Sequence, residues 1–134
     1  MYAHREDAAR HDEYREWLRA ELSAERPYGV SELVLSGFLR VVLHPRAFVQ
    51  PTPVPMALAF CEALRSRPNA VVLAPGPRHW SIFTALCTEA GARGNLVPDA
   101  YLAALAVETE SEWITTDGDY RRFRGLRVRH PLDD

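Results

Sequence analysis

A chain of 134 residues has room for one domain, expected as a single unit over residues 1–134, and its 47% hydrophobic and 25% charged content excludes wholesale disorder. Two cysteines, Cys61 and Cys87, exclude a disulfide-rich scaffold and match no zinc motif. The net charge of -2 hides an asymmetry: all sixteen basic residues are arginine, acids crowd residues 6–25, and Arg121, Arg122, Arg124, Arg127 and Arg129 crowd the end. Such an arginine strip suits phosphate binding and equally suits a solvated surface. No apolar run approaches the roughly 20 residues that cross a bilayer. The start, Met-Tyr-Ala-His-Arg-Glu-Asp, lacks the basic-then-apolar pattern of a secretory signal. A cytoplasmic location with no membrane partner is expected.

Residues 5–23 predict an amphipathic helix, with Tyr14, Trp17, Leu18 and Leu22 at helical spacing. Pro27 and Gly29 break the chain, and Ser31 is the expected N-cap of a helix from Glu32 to Leu43. That helix is apolar nearly all round, so it belongs in a core or under a partner protein. Thr52 is the expected cap of a third helix with Pro53 at its first position, stopping before Pro68. Ala70-Val71-Val72-Leu73-Ala74 reads as a buried parallel strand. Residues 78–90 are helical again, closed by Gly91. Pro98-Asp99 opens a small-residue helix, and Trp113-Ile114-Thr115-Thr116 is a strand ending in Asp117-Gly118-Asp119. A one-turn helix at 120–123 and a strand at 126–128 complete an α/β layered domain with a mainly parallel sheet. The chain opens almost directly with a helix, leaving Met1-Tyr2-Ala3 as only the tail of a first central strand.

Ligands of open α/β sheets bind beyond the carboxyl ends of the strands, where Asp117 and Asp119 fall. Asp99 lies at the first turn of the preceding helix. Carboxylates meeting there repel one another unless a cation bridges them, and oxygen-only ligands suit Mg²⁺ or Mn²⁺. The same residues also fit ordinary chemistry, an Asp-Gly turn and an acid near a helix start. His4, His11, His44, His79 and His130 are scattered without the pairing a zinc hydrolase needs; His79 is a candidate RNA contact. Trp80 is either a base-stacking platform or a core residue paired with Phe83.

Taken together, Val97-Pro98-Asp99-Ala100 with its alanine-rich helix, Trp113 to Tyr120, Phe123 and Gly125-Leu126-Arg127-Val128 resemble the second half of a PIN domain. They are most similar to the VapC ribonuclease toxins of bacterial toxin–antitoxin pairs. Tyr2 to Arg5, His11, the Trp17-Leu18 helix and Ser31 to Val42 match the earlier regions, and His44-Pro45-Arg46-Ala47-Phe48 is similar to a loop of a mycobacterial branch. The resemblance implies a PIN-like α/β/α sandwich and metal-dependent endonucleolytic cleavage of structured RNA, commonly tRNA. It makes Asp99 and Asp117 the catalytic acids and metal ligands, Asp119 a further acid of the metal site, and Thr115 a site-ordering hydroxyl. Asn95 falls in the loop just ahead, as a contact to metal-bound water or substrate or as a turn asparagine.

Two departures stand out. The family's opening strand carries an Asp several residues before the position of Tyr2, so this sequence is expected to lack that ligand and most of that strand. The family's early-helix Glu aligns with Gly37, and the nearby carboxylate is Glu32, which points about 140° away from position 37 on a helix. Glu32 is then either a metal ligand from the helix N-terminus or a first-turn acid.

The expected function is thus a Mg²⁺-dependent endoribonuclease toxin, with Asp99, Asp117, Asp119 and Glu32 around the metal. Arg40, Arg93, Arg121 and Arg122 are its expected phosphate contacts. Its expected partners are RNA, a cognate VapB-like antitoxin and a second copy in a homodimer. The alternative is a catalytically inactive remnant that binds an antitoxin or itself through the 33–43 helix and the Trp17 face.

Overall fold

A computed structural model describes residues 10–45, 50 and 52–133. The expected strand tail at 1–3, the start of the first helix, His4 and the 46–48 part of the loop lie outside the described residues. The chain divides into two compact units, Met1–Leu73 and Ala74–Asp134.

In the first unit, helix α1 (His11–Ser23) is followed by strand β1 (Tyr28–Ser31), helices α2 (Glu32–Val42) and α3 (Val54–Arg65), and strand β2 (Ala70–Leu73). Strands β1 and β2 pair in parallel, Tyr28 opposite Ala70 through Ser31 opposite Leu73, with α2 and α3 as the crossover. The sequence around Pro27 and Gly29 predicts a break, yet Tyr28–Ser31 is a strand. Its hydrogen-bond partner lies some forty residues on, where local propensity carries no information. Asn69 ties this unit together by donating from Nδ2 to the carbonyls of Ala24 (2.9 Å) and Arg26 (3.2 Å). Val30, Leu35 and Cys61 form the core, with Tyr28, Phe38, Leu39, Leu64 and Ala70 packed against them. Burial raises the Cys61 thiol pKa, which makes it an inert packing residue.

Ser31 is the N-cap of α2, as expected, with extended backbone, though its side chain makes no cap hydrogen bond. Two local expectations need correction here. The cap of α3 is Pro53, not Thr52, and Thr52 is buried instead. Strand β2 is parallel but not buried: Val71 and Val72 are 46% and 43% exposed. Successive strand residues face opposite sides, so both faces of this short ribbon are open at those positions.

In the second unit, α4 (His79–Ala90) and α5 (Leu96–Glu108) form a helical pair, followed by β3 (Trp113–Ile114), a 3₁₀ turn (Gly118–Arg122) and β4 (Val128–Arg129). Strand β3 is two residues shorter than its apolar run predicts, and β4 pairs with it in parallel, Trp113 opposite Val128. Every described strand pair is therefore parallel, as expected of the α/β class. Ala100, Ala103 and Ala104 present almost no bulk, so α5 packs closely on Leu86, Tyr120 and Phe123. Gly76 and Arg78 donate their backbone N–H groups to the Glu108 carboxylate at 2.7 and 2.9 Å. Those bonds, that from Gly76 first, hold the Glu108 pKa below the ordinary range.

Helix α4 ends at Gly91 in the left-handed conformation (φ 60), and the next N–H, of Ala92, returns to the Cys87 carbonyl at 2.9 Å. A side chain at that φ is strained whatever the space around it. Gly91→Ala is expected to lower stability by about 1 kcal/mol in urea unfolding, with the slope of the transition unchanged.

Candidate active site

Helix α5 opens with Pro98 in its first turn, where a missing N–H costs no hydrogen bond, and Asp99 follows it, half-buried. The Asp99 Oδ1 accepts a hydrogen bond of 3.1 Å from the hydroxyl of Tyr120. Tyr120 is buried, its ring centroid 5.2 Å from that of Trp113 and 6.1 Å from that of Phe123.

The turn after β3 is built from its own polar side chains. The Asp117 N–H donates to Thr115 Oγ1 at 3.1 Å, and Asp117 Oδ1 accepts from the Asp119 N–H at 2.9 Å. Asp117 thus caps the 3₁₀ turn that carries Tyr120. The carboxylates of Asp117 and Asp119 are exposed.

These groups share one electrostatic field. Burial raises the Asp99 pKa above the ordinary aspartate value; the Tyr120 hydrogen bond opposes that, and the charges of Asp117 and Asp119 add to it. Burial, then the Asp99 charge, likewise drives the Tyr120 phenol far up. A carboxylate raised chiefly by burial, with two more negative charges in its field, is a place where a cation gains and a proton is tolerated.

Within the second unit Thr115, Asp117 and Asp119 are joined by hydrogen bonds in one turn, and Asp99 feels the charges of Asp117 and Asp119. Glu32 lies in the first unit, as the first residue of α2, exposed and paired with Arg65 at 2.9 Å. Asn95 stands at the cap position of α5 without a side-chain cap bond. Arg40, Arg93, Arg121 and Arg122 are exposed. His79 is corrected: it is 3% exposed, with Nε2 within 2.8 Å of the Tyr101 carbonyl, so it is not available to RNA. Trp80 is 68% exposed, which removes the core option.

Two residues were not singled out from the sequence. Tyr120 and Glu108 act through partners 21 and about 30 residues away. The only local hint was an aromatic placed three residues after Asp117, where a short turn brings it back under the site.

Among the described residues, no group of three or more His, Cys, Asp or Glu side chains is placed to hold a metal by itself. Mg²⁺ does not require one. It is commonly held by one or two carboxylates, with waters and substrate phosphate completing its shell. The oxygen-only pair of Asp99 and Asp117, with Asp119 beside it, fits that demand.

A family model described as "PIN domain" matches residues 1–126. The chain belongs to the PIN-domain family. Among its relatives, the ribonuclease VapC43 of Mycobacterium tuberculosis is 43% identical over 133 residues, covering 99% of this chain and 90% of that protein. Ribonuclease VapC25 of the same organism is 40% identical, covering 98% and 94%. Among solved structures, VapBC2 from Rickettsia felis, bound to a DNA fragment from its promoter, superposes with a TM-score of 0.68 over 96% of this chain and 90% of that one. At 16% identity that likeness speaks for the fold, an α/β PIN fold. The PIN match runs through both compact units. No helix among the described residues is long and apolar enough to cross a membrane.

The charge frustration in this PIN domain has a measurable consequence. A carboxyl whose folded pKa lies above its unfolded value favours the folded state when protonated. Ionised Asp99 therefore costs stability above its folded pKa, a cost that vanishes below the ordinary aspartate range. In metal-free buffer at pH 7, Asp99→Asn is expected to melt about 2–4 °C higher than the unaltered protein, with the gain shrinking toward pH ~3.5. A pH-independent difference would contradict this origin.

Proposed function

We propose that this chain is the toxin of a VapBC-type pair: a Mg²⁺- or Mn²⁺-dependent endoribonuclease that cuts structured RNA, with tRNA the first substrate class to test. The observation that carries the reading is Asp99, half-buried on α5, clamped by Tyr120 and within the field of Asp117 and Asp119 on the turn after a parallel strand. The VapC ribonuclease relatives support the same activity.

In this reading residues 1–134 work as one domain. Asp99 and Asp117 hold the ion; Asp119 adds negative charge, and Thr115 orders the turn through the Asp117 backbone. Glu32, paired with Arg65 at 2.9 Å, is taken as a further ligand. A bound divalent ion supplies Lewis acidity: it activates water and neutralises charge on the scissile phosphate. The carboxylates position the ion and are not nucleophiles. Asn95 contacts bound water or substrate. Arg40, Arg93, Arg121 and Arg122 grip flanking phosphates through contacts that weaken with salt.

The partner is a VapB-like antitoxin, as the naming of the relatives and the VapBC2 complex suggest. Exposed apolar side chains on α2 (Leu33 52%, Val34 40%) and α3 (Met56 58%, Leu58 48%) supply a face for such a peptide. A second copy is taken as a further partner, and the cytoplasm, where RNA and antitoxin meet, as the site of action.

The test is cleavage of a tRNA pool with and without Mg²⁺ or Mn²⁺. Cutting that needs the ion, and falls at least about a hundredfold in Asp99→Asn, is the expected result, since losing several kcal/mol of charge stabilisation costs that much. The circular dichroism spectrum stays the same. Ion-independent cutting, or full activity in Asp99→Asn, would overturn the assignment. No cutting at all, with antitoxin binding intact, would favour the inactive binding module.

A further inference from the structure

We infer that the Tyr120 hydroxyl is a positioning group for Asp99, fixing the carboxylate so that one oxygen is committed and the other is left for the site. Asp99 has two equivalent oxygens and a broad terminal torsion, so nothing in the residue itself decides which oxygen faces outward. Tyr120 decides it. Its hydroxyl donates to Oδ1 at 3.1 Å, and a phenol this buried must find an acceptor. The ring is 6% exposed, wedged against Trp113 and Phe123, so the hydroxyl has little freedom to turn elsewhere.

The placement of Tyr120 in the chain adds to the effect. It belongs to the 3₁₀ turn that Asp117 caps, and Asp119 precedes it directly. One short turn thus carries the two exposed acids and the clamp on the third. The link from α5 to that turn is a side-chain bond spanning 21 residues, which ties Asp99 to the turn that carries Asp117 and Asp119. Outer partners of this kind usually govern metal affinity by orienting the ligand.

This inference rests on the reading of Asp99 as a metal ligand, and the experiment separates the two. Mn²⁺ binding is followed by electron paramagnetic resonance, through loss of the free-ion signal, for the unaltered protein, Tyr120→Phe and Phe123→Leu. Tyr120→Phe removes only the hydroxyl and keeps the packed ring. Its Mn²⁺ dissociation constant is expected to rise about tenfold with the near-ultraviolet dichroism retained. Phe123→Leu loosens the same core without touching Asp99; it is expected to lower the melting temperature and leave Mn²⁺ affinity unchanged. Unaltered Mn²⁺ affinity in Tyr120→Phe would overturn the inference and leave the nuclease reading standing. Equal losses in both variants would overturn it too, by assigning the effect to packing. Failure of the unaltered protein to bind Mn²⁺ would overturn both.

Discussion

The partial burial of the Asp99 carboxylate, with the charges of Asp117 and Asp119 in its field, is the constraint on which the proposed site depends. A fold selected only for stability has no reason to half-bury one carboxylate and place two more in its field. The protein tolerates this arrangement because neighbouring groups oppose part of the cost. Tyr120 donates to Asp99, the Asp119 N–H donates to Asp117, and the Thr115 hydroxyl holds the Asp117 N–H. What remains uncompensated is negative charge on the turn after β3, and the proposed function assigns that charge to a hard cation.

The packing beneath the site follows from that need. Asp99 must be held firmly while its surroundings stay polar, and the alanine row of α5 meets both conditions. Ala100, Ala103 and Ala104 let the helix sit close against Leu86, Tyr120 and Phe123, so that Asp99 is anchored by its helix and not by its own burial. At the far end of the same helix, Glu108 accepts from the backbone of Gly76 and Arg78 and pins the segment leading into α4. The helix that carries the site is thereby fixed at both ends.

Much of this could be read from the residues in order. Helical spacing located α2, α3, α4 and α5 to within about two residues at each end and the end of α1, whose described start, His11, lies six residues beyond the expected one; Gly91 marked the end of α4 as its φ requires. The turn acids stood out only through the resemblance to the PIN family, because Asp-Gly-Asp after a strand also fits an ordinary turn. Strand β1 was not legible, because Tyr28–Ser31 is held by pairing with Ala70–Leu73 and not by its own propensity. The burial of His79 is hidden for a related reason: its contact with Tyr101 depends on how α4 meets α5, which no periodicity encodes. The role of Tyr120 is equally hidden, because its hydroxyl acts on a residue 21 positions earlier. Local chemistry announces itself in sequence, while side-chain bonds across the fold do not.

Anomalous diffraction from crystals grown with Mn²⁺ tests the central claim most directly. The account predicts one strong peak within coordination distance, direct or through a single water, of both Asp99 and Asp117. Mn²⁺ bound elsewhere, or these two carboxylates without a shared ion when Mn²⁺ is saturating, would contradict it.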